Sequence, residues 1–247
     1  MVLMPLVGLV IGAILVLIQF FLTWVGSGTP PWITGAILTG AYIFLTGGLH
    51  FEGLADTCDG VFSGRTREQS LEIMKDSRIG VFGTLGIFMT GLLYFAVLIE
   101  IPPGLLLIFP LVGRACCLIS ASMAPYARED GMGKAASKQG GTNAVVSAVV
   151  SMIGASFLTI PVLWLIGLLG PKFARWFLLT NAGVSYTLAV IPSLIAAGAA
   201  VLITILITIK FKRKLGGVTG DTFGAAIEVS SLVYLFVFIV GWRALLD

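Results

Sequence analysis

After 49 residues without a charged side chain, the sequence reads Leu49-His50-Phe51-Glu52-Gly53-Leu54-Ala55-Asp56-Thr57-Cys58-Asp59-Gly60. On a helix the offsets i, i+4 and i+7 gather Glu52, Asp56 and Asp59 within ~60° of arc. Three carboxylates so placed repel one another, and near a bilayer they are costly unless a cation sits among them. Oxygen ligands suit a hard divalent ion such as Mg²⁺ or Mn²⁺. The chemistry expected is metal-assisted transfer, with Glu52, Asp56 and Asp59 as metal ligands. Asp221 and Glu228 form a second ridge, seven residues apart on what reads as the last helix. Asp221 alone could be an N-cap. Glu228, two turns into an apolar helix, needs a proton, a cation or a hydrogen-bond partner. The second and last spans are therefore expected to lie side by side with metal between the ridges. The competing arrangement leaves Asp221 as a cap and pairs Glu228 with Arg114.

Other polar residues surround these ridges. His50, the single histidine, points about 160° away from Glu52 on an ideal helix and reads as an orienting group rather than an acid–base residue. Lys75 and Arg78 could neutralise phosphate charge, and Asp76 or a ridge carboxylate could accept a proton. Arg114 lies ~15 Å inside the fourth span, either touching a ligand or forming a structural ion pair. Gly217, Thr219 and Gly220 precede the last helix, where backbone N–H groups could face a phosphate. Glu68 and Glu72 sit on a short amphipathic helix over 67–75 and are as readily solvated as functional. The stretch containing Arg128, Glu129 and Asp130 reads as a polar connector rather than a flexible anion-binding lip.

The elements that must position these groups follow from composition. Of 247 residues, 57% are hydrophobic and 11% charged, with a mean hydropathy of +1.04. A membrane-spanning helix needs ~20 apolar residues. Seven stretches qualify, at about 4–26, 31–49, 80–99, 103–124, 143–169, 184–209 and 222–243. This is the composition of an all-α, polytopic integral membrane protein, forming one domain over 1–247, with a short cytoplasmic amphipathic helix. A net charge of +3 gives no footing for nucleic acid.

Eleven of the fifteen basic residues fall in three loops, 50–79, 125–142 and 210–221, which the positive-inside rule places in the cytoplasm. An N-in, C-out arrangement satisfies every loop. It also brings Trp24, Trp32, Trp164, Trp176 and Trp242 to the outer interface, where indole rings partition. Cys58, Cys116 and Cys117 read as small buried hydrophobes rather than a disulfide framework. The first segment lacks a basic signal-peptide region and reads as a retained helix.

Three blocks carry a resemblance. Thr46–Gly60 resembles the signature of the cobalamin synthase family, the adenosylcobinamide-GDP ribazoletransferases. The stretch Leu71-Glu72-Ile73-Met74-Lys75-Asp76-Ser77-Arg78-Ile79-Gly80 is similar to the family's next block, and Gly217–Glu228 to its C-terminal block. Arg128-Glu129 agrees more loosely. The resemblance implies that adenosylcobinamide-GDP and α-ribazole, or its 5′-phosphate, are joined to give adenosylcobalamin, or its 5′-phosphate, and GMP. It also implies Mg²⁺, a place in the inner membrane with the site facing the cytoplasm, and a homo-oligomer or a complex with other corrinoid-assembly enzymes as conceivable assemblies. Glu52 stands where the family usually carries Asp, and Ser231 where many members carry a further acidic residue. The chain starts almost at Pro5, where members usually have an extra amphipathic stretch.

Two rival readings keep parts of this pattern. Asp56-Thr57-Cys58-Asp59-Gly60 also begins the CDP-alcohol phosphatidyltransferase pattern, but the further spaced aspartates do not follow. A cation- or proton-coupled transporter would use buried carboxylates as well. Here they cluster towards one face, without an evident inverted repeat.

Overall fold

The computed structural model describes residues 3–24, 29–131, 133–134, 141–168 and 190–246. Among them run nine helices: α1 (Met4–Trp24), α2 (Pro31–Leu45), α3 (Leu49–Phe62), α4 (Arg67–Ile73), α5 (Val81–Leu98), α6 (Pro103–Met123), α7 (Thr142–Leu168), α8 (Val190–Leu215) and α9 (Gly220–Leu246). Proline opens α2 and α6, where a missing N–H costs nothing. Thr66 and Gln69 form a reciprocal capping box that starts α4.

The described residues of the seven apolar stretches are helical apart from their ends, though not all of these helices are long and apolar enough to span on their own. Five of these helices, α1, α5, α6, α8 and α9, are long and apolar enough to cross a membrane on their own, while α2 and α3 qualify only as a bent pair. Residues 25–26, 169 and 184–189 of the expected spans lie outside the described residues, as do Lys138 and Trp176 and the side chain of Trp164. Trp24 and Trp32 are exposed, but Trp242 is buried and stacks on Phe238.

Helix α6 is the axis of the bundle, its side chains buried almost from end to end. Gly8 and Gly12, one turn apart on α1, press against the α6 backbone at Pro110, Leu106 and Leu107. This is the small-residue spacing that lets helices approach closely in lipid. Around α6 pack α1, α7, α8 and α9. The rings of Tyr42, Tyr94 and Phe109 fill the interior between α2, α5 and α6, with centroids 5.1 to 6.0 Å apart.

The acidic stretch is helical as expected, but it does not continue α2. Gly47 and Gly48 adopt φ of 62° and 70°, a left-handed conformation that side chains resist. The chain turns 86° between α2 and α3. Helix α3 therefore runs across the direction of α2 and is not by itself long and apolar enough to cross a membrane. The expectation that the second and last spans pack side by side is corrected accordingly: α9 packs on α3, α6 and α8, whereas α2 rests on α5 and α1. The α3–α9 contact is close because both sides lack a side chain. A Cβ on Gly53 would stand 2.9 Å from Asp221 Cα, and one on Gly224 would stand 3.1 Å from His50 Cα.

Candidate functional site

Helix α3 borders two cavities. One, between α1, α3, α6 and α9, is of about 320 Å³, and its lining includes Leu49, His50, Glu52, Asp56, Asp221, Phe223 and Ile227. Along the adjoining face of α3 lies one of about 520 Å³, lined by Glu52, Asp56, Met74, Lys75, Asp76 and Ser77 among others. Among the described residues, those that line both are Glu52 and Asp56. A further space of about 560 Å³ shares Lys75 and Asp76 with the second and is also bounded by Arg65, Gln69 and Glu72. Glu72 thus faces a cavity rather than open solvent alone.

The electrostatics single out Asp56. Partial burial, followed by the negative charges of Asp221 and Glu52, pushes its carboxyl up to about 6, and the Arg128 guanidinium works against that rise. Arg128 stands 2.9 Å from Asp221 Oδ2 and donates to the carbonyl oxygen of Met74 at 3.3 Å. It ties α9 to the end of α4 beside the acidic cluster. Sequence reasoning took its loop for a connector, although the neighbouring Arg128-Glu129 pair carried a loose family likeness. Its position depends on a parallel bridge between Tyr126 and Val218, with Val218 N–H donating to Pro125 and Ala127 N–H to Val218. No local periodicity announces such a pairing.

The five carboxylates read as metal ligands do not converge. Glu52, Asp56 and Asp221 share the α3–α9 cavity. Asp59 turns away and accepts N–H donation from Gly80 at 2.7 Å and Gly83 at 2.9 Å, capping the start of α5. Glu228 is fully buried. It accepts from Tyr42 Oη at 3.1 Å and Tyr94 Oη at 2.8 Å, and His50 Nδ1 lies 3.3 Å from its Oε1. His50 Nδ1 makes no hydrogen bond to it. Arg114 is buried and donates to the Pro110 carbonyl; it forms no ion pair with Glu228.

The remaining predicted residues divide similarly. Arg78 is paired with Asp76 at 2.7 Å and is largely exposed. That hydrogen bond holds the Asp76 carboxyl down at about 2, which makes it a poor proton acceptor. Lys75 lines both outer cavities and makes no ion pair among the described residues. Gly217 packs against the Pro125 carbonyl. Thr219 caps α9, its hydroxyl accepting from Thr222 N–H and donating to Asp221 Oδ2. The N–H groups of Gly216, Val218 and Thr219 are already bonded within the protein, so a phosphate-facing lip would have to draw on other N–H groups of this loop. Gly220 alone of the three lines the cavity.

Among the described residues, no three His, Cys, Asp or Glu side chains form a preassembled metal cage. The donor set of Glu52, Asp56 and Asp221 nonetheless fits Mg²⁺. That ion takes oxygen ligands, keeps several waters, and commonly binds through one or two carboxylates plus substrate phosphates. The crowding that raises Asp56 is what a divalent cation would relieve.

A sequence profile described as cobalamin-5-phosphate synthase matches residues 1–239. The chain belongs to that family. Relatives named adenosylcobinamide-GDP ribazoletransferase include one from Acetivibrio thermocellus, 38% identical over 95% of this chain and 84% of the relative. Another, from Fusobacterium nucleatum, is 36% identical over 96% and 86%, and one from Acinetobacter baumannii is 35% identical over 96% and 85%. No solved structure matches. The cobalamin-5-phosphate synthase family therefore supplies the chemical setting for the acidic cluster.

Proposed function

We propose that the chain is the transferase that joins adenosylcobinamide-GDP to α-ribazole or its 5′-phosphate and releases GMP, with the reaction centred on Glu52, Asp56 and Asp221. The observation that carries this reading is the α3–α9 junction, where two of the family-like blocks meet in one acidic cavity through the close contact of Gly53 with Asp221. Breaking a phosphoanhydride between anionic phosphates calls mainly for positioning and charge neutralisation. Glu52, Asp56 and Asp221 would hold Mg²⁺, which when bound supplies Lewis-acid stabilisation of the diphosphate and the departing GMP. Arg128 fixes the Asp221 carboxylate, and Lys75 brings a positive charge to the neighbouring cavity. Asp59, by capping α5, fixes α3 relative to the segment that carries Lys75.

The site is read as facing the cytoplasm from the inner membrane, on the strength of the basic bias in 50–79, 125–142 and 210–221. A cysteine placed at Thr66 should be labelled only after the membrane is permeabilised; labelling from the periplasmic side would overturn the orientation. The activity itself is tested with purified protein, adenosylcobinamide-GDP, α-ribazole and Mg²⁺. Stoichiometric GMP and a cobalamin product are expected, and a properly folded sample that releases no GMP would refute the assignment.

A further inference from the structure

Near its end helix α8 reads Lys210-Phe211-Lys212-Arg213-Lys214, and the helix sorts these cations by face. From Ala200 on, its buried residues are Ala200, Thr204, Thr208, Phe211 and Leu215. On the opposite side Leu202, Leu206 and Ile209 are exposed, and at ~100° per residue Arg213 continues that stripe. Lys210 adjoins it, on the side of α3. Lys212 points ~160° away from Lys210. The helix has 26 residues, a length of ~39 Å against a hydrocarbon core of ~30 Å. Its basic end therefore stands at the level of the lipid headgroups while the apolar stripe lies among acyl chains.

What surrounds Lys210 is aromatic rather than acidic. Its Nζ stands 4.6 Å from the centroid of the Phe62 ring, and Phe62 in turn packs on Phe82 with centroids 6.0 Å apart. Both rings are about half exposed. A ring face holds an ammonium without neutralising it, and the lysine stem lies along apolar surface with its charge at the edge. Among the described residues neither Lys210 nor Arg213 forms an ion pair, whereas Arg67 and Arg78 are taken by Glu68 and Asp76. Two uncompensated cations at headgroup depth, beside exposed rings and above an apolar stripe, complement a negatively charged amphiphile. We propose that the end of α8, with Phe62 and Phe82, binds an anionic phospholipid. Its phosphodiester lies between Lys210 and Arg213, and an acyl chain runs along Leu206 and Leu202. Phosphatidylcholine carries a cation of its own and gains little there, whereas phosphatidylglycerol leaves a net negative charge for the two side chains. Phe62 closes α3, so the lipid braces the helix that carries Glu52 and Asp56 against α8. The site stands apart from the acidic cavity, and the proposal does not depend on the reaction assigned there.

The test uses the full chain, purified in a non-ionic detergent and titrated with phosphatidylglycerol or with phosphatidylcholine of the same acyl chains. Phosphatidylglycerol should raise the melting temperature in a concentration-dependent way, and phosphatidylcholine should not. Glycerol phosphate, a headgroup without chains, should give no shift at the same concentrations. Lys210→Gln/Arg213→Gln should weaken the apparent affinity for phosphatidylglycerol at least roughly tenfold, while Lys212→Gln, on another face of the same turn, should stay within about twofold of the parent. Lys210→Arg/Arg213→Lys should keep the response. Equal shifts with the two lipids, no shift with either, or a full response in the double variant overturns the site. So does a loss in Lys212→Gln as large as in the double variant, which would make the attraction a diffuse property of the basic end. If the double variant does not purify as folded protein, salt decides on the parent: about 0.5 M NaCl should remove most of the phosphatidylglycerol response at these exposed cations. A response unaltered by salt would overturn the proposal.

Discussion

Asp56 and Glu228 are carboxylates on helices that touch, yet they occupy opposite kinds of environment. Asp56 sits half-exposed between two cavities, crowded by Asp221 and Glu52 and relieved by Arg128. Glu228 is sealed from solvent, with both oxygens accepting tyrosine hydroxyls and His50 beside it. Repulsion left uncompensated favours binding a cation, whereas a carboxylate with every oxygen engaged has nothing left to offer one. Acidic residues in an apolar chain thus mark a polar demand, and whether it is met from within or from a ligand depends on what faces them.

The largest effect that can break this contrast is on turnover. Asp56→Asn should lower kcat by ~10³-fold, about 4 kcal/mol of transition-state stabilisation, while the purified protein keeps its thermal transition and monodispersity. A rate within tenfold of the parent would remove Asp56 from the reaction centre. Glu228→Gln should instead appear in stability, costing about 1–3 kcal/mol because one amide N–H₂ meets groups arranged for an acceptor. Thermal unfolding in detergent measures it, and activity per folded molecule should change little. An unaltered transition temperature with abolished turnover would move Glu228 into the chemistry and erase the distinction.

Arg128→Ala sharpens the same comparison at a smaller scale. It frees Asp221 from its ion pair and should lower kcat/KM by roughly tenfold, with Arg128→Lys recovering part by restoring a positive charge beside Asp221. The smallest effect concerns pH. With the Asp56 carboxyl raised to about 6, the folded state holds that proton more tightly than the unfolded chain. Its contribution to stability is present in full below about pH 4 and is lost as pH rises to about 6. In metal-free protein, Asp56→Asn should flatten this part of the stability profile, by a small amount because the carboxylate is half exposed. Added Mg²⁺ should raise the melting temperature of the parent more at pH 7.5 than at pH 5.5, and that of Asp56→Asn at neither. Equal Mg²⁺ stabilisation of the two proteins would argue against a cation at this cluster.

Much of the fold was legible because lipid imposes a simple rule: a spanning segment must satisfy its backbone internally and present apolar side chains. The described parts of the apolar stretches are helical where their composition indicated, and five of those helices are long and apolar enough to span alone. The capping residue Thr66, the prolines that start α2 and α6, and the acidic helix over Glu52, Asp56 and Asp59 are equally local signals. Local rules could not show the 86° turn at Gly47 and Gly48, since Gly-Gly permits many conformations and only the surrounding helices select one.

Spacing on a helix told which carboxylates share a face, and nothing more. The tertiary structure decided that Asp59 meets the free N–H groups of α5 and Glu228 meets Tyr42 and Tyr94, residues far away in sequence whose hydroxyls no motif connects. It decided likewise that Arg128 faces Asp221, through a single backbone bridge between Tyr126 and Val218. The reason is physical: the sequence sets where charge must be compensated, while the partner that compensates it is chosen by which backbones can approach, here by the two glycines that let α3 and α9 touch.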